Sequence, residues 1–315
     1  MSNENKKEVT NLKEFIEIFE SKLKIDFRNP SIRLYYRGED KDNKKNRCLP
    51  SIIRSDYDEK GNYYKFLRRH PEEFKGLSNL DVLSKMQHFG IPTRLLDITT
   101  NPLVALFFAC YGNNNNSHGH VYIFKANKDN ILTYDSDRAL LLSTLPKLSM
   151  KEKMLIKSHL MECNDDEIRP EHLKESSDIS IEIKKAMSKF IYECERERDA
   201  FKDHHVVPEH LSEVYYVKPQ FSSLRMKLQN SLFMLFGISN NVQISDNDFF
   251  QEKVSKKEVI DIVISRESKK KILSELKFVC GISYASLFGD LDSTVVENKE
   301  QLYNIYNEEV LGNID

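Results

Sequence analysis

The run Leu103–Tyr111, LVALFFACY, would be apolar on every side of a helix. Such a helix has no polar face for water, so packed layers must cover it from all directions. It is also far short of the ~20 apolar residues that cross a bilayer, and no membrane partner is expected. Asn101-Pro102 just before it supply an N-cap and a first helical residue, and Gly112 marks its end. Upstream, residues 87–100 read QHFGIPTRLLDITT and crowd Thr93, Arg94, Asp97, Thr99 and Thr100 against the buried element. Turn chemistry ahead of a helix could explain the hydroxyls, and Arg94 could pair with Asp97. Alternatively, amides at a buried helix start attract anions, and guanidinium groups orient phosphates.

Around this junction the periodicities alternate. Residues 11–24 carry a helical stripe of Leu12, Phe15, Ile16, Phe19 and Leu23. IRLYYRGED, from Ile32, is rich in β-branched and aromatic residues and reads as a strand ending at Gly38. Residues 62–89 are helical, broken near Pro71 and closed by Gly90. HVYIFKA, SEVYYVKP, SLFMLFG and VIDIVIS read as further strands, and KKKILSELKFVCG as a basic helix. Arg225 and Gln229 share a face of the amphipathic segment SSLRMKLQ. Strands separated by helices give an α+β fold with a mixed sheet. Residues 149–204 are charged and helical and divide the chain: 1–148 as the first part of the core, 149–204 as a helical insertion, 205–315 as the second part. The tail 296–309 is a weak helix.

With 315 residues, 40% of them hydrophobic, the chain can build a sizeable core. Its net charge of −2 argues against a protein that coats nucleic acid, though a local basic groove is compatible with it. Ten glycines without GxGxxG or GxxxxGK[ST] exclude the usual phosphate loops. Five scattered cysteines without a CxxC pair point to reduced thiols, a cytoplasmic location and no metal centre. His118, His120, His204 and His205 lie in polar stretches and are expected at the surface. His88, at a helix C-terminus, would be favoured in its protonated form by the dipole.

Five blocks together resemble the FRG domain family: YYRG at 35–38, LPSIIR at 49–54, QHFGIPTRLLDITTNPLVALFFAC at 87–110, RMKLQNSLF at 225–233 and CGISYASLFGDLD at 280–292. The third is similar to that family's pattern Q-H-x-G-x-P-T-R-L-L-D-x-T-x-N-P-x-x-A-L-x-F-A almost throughout, with Ile98 where an aromatic is usual. The family name implies little about activity.

A second resemblance, to ADP-ribosyltransferases, implies chemistry. YYRG resembles their early strand with its Arg, ITTNPLVALFFAC followed by HVYIFKA their middle strand–helix–strand element, and LSEVYYVKP the element with their catalytic Glu. It implies an ADP-ribosyltransferase-like mixed sheet and NAD as a substrate. Arg37, Arg94, Asp97, Thr99 and Thr100 would hold the cofactor, and Glu213 would stabilise positive charge on the ribose as its bond to nicotinamide breaks. The chain lacks an intact Ser-Thr-Ser and any Glu-x-Glu or Gln-x-Glu pair before Val214, so Gln229 is the alternative polar group. Such an enzyme would suit a toxin or phage-defence setting, with a macromolecular target. The rival expectation is a non-catalytic sensor of a nucleotide or nucleic-acid end.

Overall fold

The computed structural model describes residues 8–23, 32–43, 46–54, 57–112, 116–162, 180–201, 206, 208–220, 223–238 and 259–299. Its strands are β1 (Ile32–Glu39), β2 (Leu95–Thr99), β3 (Gly119–Asn127), β4 (Ile131–Thr133), β5 (Val214–Lys218), β6 (Ser231–Phe236) and β7 (Val259–Ile264). They form one sheet in the order β4-β5-β6-β2-β1-β3-β7. Only β4 and β5 pair in parallel, so the sheet is mixed and the fold is α+β.

Helices α1 (Leu12–Leu23), α2 (Ser51–Arg54), α3 (Glu59–Arg69), α4 (Pro71–Phe74), α5 (Asn79–His88) and α6 (Pro102–Cys110) belong to the first part of the chain. Then come α7 (Asp137–Thr144), α8 (Met150–Glu162), α9 (Ile181–Glu197), α10 (Pro208–Ser212), α11 (Leu224–Leu228), α12 (Lys269–Cys280) and α13 (Tyr284–Phe288).

Period-two alternation sorts the strand residues into two faces. Tyr35, Leu96, Ile98, Tyr122, Phe124, Tyr216, Leu232 and Met234 share one cluster that runs across the sheet. The opposite face carries two separate helical layers. One layer packs α1, α6, α12 and α13 on Tyr36, Val121, Ile123, Ile262 and Ile264. The other packs α3, α5, α7, α8 and α9 on Leu95, Tyr215, Val217, Phe233 and Leu235. The boundary between the two layers falls where β1 meets β2.

Asn101 caps α6 by accepting the Leu103 N–H, with Pro102 at the first position. Six of its nine residues are buried, as its all-round apolarity requires. Its approach to the sheet depends on two glycines. A Cβ at Gly38 would lie 1.9 Å from the Ala105 carbonyl oxygen, and one at Gly119 would lie 2.2 Å from that of Ala109. Ala105 and Ala109 stand one turn apart, so small residues on helix and sheet meet along one seam. Gly38 therefore does not end its strand, contrary to the sequence reading. It lies inside β1, which continues through Glu39, and its role is close packing.

α8 and α9 supply the helices expected within 149–204. Ile156, Met187, Phe190 and Cys194 bury their side chains in the same cluster as Leu95 and Phe233, so these helices form part of the layer over the sheet. The breaks near Pro71 and at Gly90 (φ +74°) are present. β4 and α7 have no counterpart in the sequence reading; the run ALLLST of α7 is entirely buried. Residues 300–309 of the expected tail helix, and Cys163, His204 and His205, lie outside the described residues. Among the described residues, no helix is long and apolar enough to cross a membrane.

Candidate functional site: an opening between two strands

β1 and β2 join at a single residue pair, Tyr36 with Thr99. Beyond it the ladder stops, and a cleft of about 310 Å³ opens there. Arg37 stands in the opening. Its Nη1 donates to the Asp97 carbonyl oxygen at 2.7 Å, bridging the parted strands where a backbone hydrogen bond is missing. Its Nε donates to Glu39 Oε1 at 3.0 Å. The buried Glu39 carboxylate also accepts from Asn43 Nδ2 (2.7 Å) and from the Cys48 backbone N–H (3.3 Å). Cys48 itself has φ +53°, a strained position for a residue with a Cβ. Burial works most strongly against the charge on Arg37, but Glu39 and Asp97, with other nearby groups, together hold the guanidinium pKa above its ordinary value. Arg54, at the end of α2, is pulled the other way by burial and then by the charge of Arg37. Arg225 enters from α11, its guanidinium 4.4 Å from the Phe288 ring centroid.

Asp97 forms part of the floor. Of the five residues of β2 it alone is exposed. Thr93 Oγ1 donates to Gln87 Oε1 at 2.7 Å, which turns the Gln87 amide so that Nε2 donates to Asp97 Oδ2 at 2.8 Å. No hydrogen bond reaches Oδ1 among the described residues. The QHFGIPTRLLD stretch is thus a small hydrogen-bonded unit that orients one carboxylate.

The expected site residues therefore separate. Arg37, Asp97, Thr99 and Gln229 line the cleft. Thr99 is committed to structure: its Oγ1 donates to the Gln229 carbonyl at 2.7 Å and accepts the Asn101 N–H at 3.0 Å. Gln229 Nε2 donates to the Leu287 carbonyl at 3.3 Å. Thr100 is exposed and does not line the cleft; its N–H donates to the Asn230 carbonyl.

Arg94 is not at the cleft. It precedes β2, so it lies at the other end of that strand, where Nε and Nη2 grip Glu59 at 2.8 and 2.5 Å and Nη1 donates to the Phe236 and Gly237 carbonyls. Glu213 is also remote. It precedes β5, whose Val214 pairs with Phe236, while Ser231 at the opposite end of β6 pairs with Thr99. Five residue steps separate those ends, roughly 17 Å at about 3.4 Å per step. The start of α6 is capped by its own sequence. Asn101 takes the Leu103 N–H and Pro102 has none, and the cleft runs along Val104, Ala105 and Phe108 instead.

Glu39 and Arg54 were not singled out from sequence. Their signal was position: Glu39 follows the Arg-Gly pair, and Arg54 closes LPSIIR. Two histidines also differ from expectation. His120 is buried on β3, its Nδ1 2.9 Å from Asp261 Oδ1. The pKa of His88 lies below its ordinary value, because burial and the charge of Arg225 outweigh the nearby carboxylates of Asp97 and Asp290.

Residues 32–118 match the FRG domain. The match takes in YYRG, LPSIIR and the whole 87–110 block, and stops before the block at 225–233, which adds Arg225, Gln229 and Ser231 to the cleft, and before the block at 280–292, whose Phe288 packs on Arg225. No curated protein and no solved structure matches the chain.

Proposed function

We propose that the opening between β1 and β2, which part within the stretch that matches the FRG domain, is a nucleotide site, that its ligand is NAD, and that the protein transfers ADP-ribose or hydrolyses NAD. The observation that carries the reading is the content of the opening. Three arginines, Arg37, Arg54 and Arg225, line a cleft that also presents Asp97 with one free carboxylate oxygen. Guanidinium groups suit a pyrophosphate, which they contact in a bidentate, charge-assisted way. A fixed carboxylate suits the other half of the chemistry. When the bond between ribose C1′ and the nicotinamide nitrogen breaks, its electron pair leaves with neutral nicotinamide and positive charge develops on the ribose. Asp97 Oδ1 would stabilise that charge, and water or an acceptor hydroxyl would then bond to C1′ and release its proton. The remoteness of Glu213 moves this role from it to Asp97.

The second reading, a sensor that binds without turnover, draws on the commitments of the other groups. Glu39, Thr99 and Gln229 already hold structural hydrogen bonds, so few of the polar groups lining the cleft are left for turnover.

Titration calorimetry with NAD, then nicotinamide release, separates these readings. Asp97→Asn is expected to keep NAD binding and lower release at least a hundredfold, because the lost charge matters most in the transition state. Absence of NAD binding at millimolar cofactor sinks the nucleotide site. Binding without release in the unaltered protein leaves the sensor.

A further inference from the structure

A second chamber adjoins the first. It has a volume of about 380 Å³ and lies between α5 and α11, over Phe233 of β6. Asp97, Arg225, Gln229 and Ser231 line both chambers and form the partition between them. The two differ in chemistry. The first has two arginines of its own, Arg37 and Arg54, with Glu39 and Asp40. In the second, Lys85 is already paired with Glu73 at 2.6 Å, and Leu77, Phe89, Met226 and Phe233 supply apolar wall. Phe89 is 64% exposed at its lip, so its ring face is open to the chamber and to solvent.

We propose that the cleft takes a dinucleotide end to end, with the adenine nucleoside in the second chamber, the pyrophosphate at Arg225 on the partition, and the nicotinamide riboside in the first chamber; this rests on the nucleotide reading above. Each chamber has the volume of a small-ligand pocket, and the partition carries the cation a linking pyrophosphate needs. An uncharged purine is suited to the Phe89 ring and the Met226 wall, since base stacking on an aromatic needs only a π-face. His88 lines the same chamber, and its depressed pKa leaves a neutral ring with a nitrogen able to accept from an exocyclic amine. The cationic nicotinamide ring is better placed against Asp97, the lining carboxylate with an oxygen that takes no hydrogen bond among the described residues.

The test uses calorimetry with AMP, nicotinamide mononucleotide and NAD on the full chain and two variants. Phe89→Ala, at an exposed position, is expected to weaken AMP and NAD about tenfold and leave nicotinamide mononucleotide unchanged. Arg54→Ala is expected to do the reverse, weakening nicotinamide mononucleotide and NAD and sparing AMP. Saturating AMP should not displace nicotinamide mononucleotide. Competition between the two mononucleotides, or an NAD affinity indifferent to Phe89→Ala, overturns the two-chamber arrangement while leaving a nucleotide site in the first chamber. Failure of all three ligands to bind overturns both this inference and the reading beneath it.

Discussion

The two ends of β2 start from similar material and reach opposite states. At its N-terminal end Arg94, Glu59 and Lys153 form a buried ion cluster in which two cations share one carboxylate and two backbone carbonyls complete the arginine's hydrogen bonds. From its middle towards its C-terminal end Arg37 and Asp97 stand in an opening, with Asp97 exposed and half its carboxylate free. The arginines are alike in chemistry and differ in what the backbone around them does. Near Arg94 the ladder between β2 and β6 is complete and helices close over it; near Arg37 the ladder between β1 and β2 ends after one pair. A closed ladder turns charged side chains into structure, whereas a parted one leaves them facing a cavity.

Arg94→Ala should have the largest effect. It leaves Glu59 with half its compensation and removes the guanidinium hydrogen bonds to the Phe236 and Gly237 carbonyls, and should cost about 3 to 5 kcal/mol in chemical denaturation. Arg94→Lys should recover only part of this, because one ammonium cannot reproduce the fork. A near-neutral Arg94→Ala would erase the contrast between the ends.

Acid should act on the same cluster. Burial alone would raise the pKa of Glu59, but Arg94 and Lys153 together hold it at about 2, against an ordinary 4.5. A depressed carboxyl stabilises the fold above its unfolded pKa. That contribution, on the order of 3 kcal/mol, is lost as pH falls from about 4.5 towards about 2. Denaturation midpoints measured across that window should fall for the unaltered protein, and the slope should flatten in Glu59→Gln.

Gly38→Ala sits between the two regimes. Its Cβ would meet the α6 backbone, so α6 must shift from the sheet at a cost of about 1 to 3 kcal/mol. The same shift moves Val104, Ala105 and Phe108, so nucleotide affinity should fall together with thermal stability. Smallest in stability is Arg54→Ala, at an exposed residue ending a half-buried turn, which should change unfolding free energy by no more than about 0.5 kcal/mol. Its loss should appear in ligand affinity alone. A large drop in melting temperature would place Arg54 with Arg94 as a structural cation.

Much of this arrangement was present in the chain's local patterns. The all-round apolarity of 103–111 required burial, Asn101-Pro102 placed its start, and alternation along IRLYYRGED and SLFMLFG marked two of the strands. These features depend on residues a few positions apart, so sequence by itself determined them, along with the gathering of polar side chains before α6. Which of those side chains would share a cavity depended on contacts across the sheet. Thr93, Arg94, Asp97 and Thr99 lie within seven residues, yet one orients a glutamine, one is sealed in an ion cluster, one faces the cleft and one staples the turn before β6. Glu39 and Arg225 are 186 positions apart and line the same opening. Tertiary structure decided these fates, because strand pairing and its interruption are set by partners distant in the chain, and a carboxylate or guanidinium takes its role from what those partners leave open.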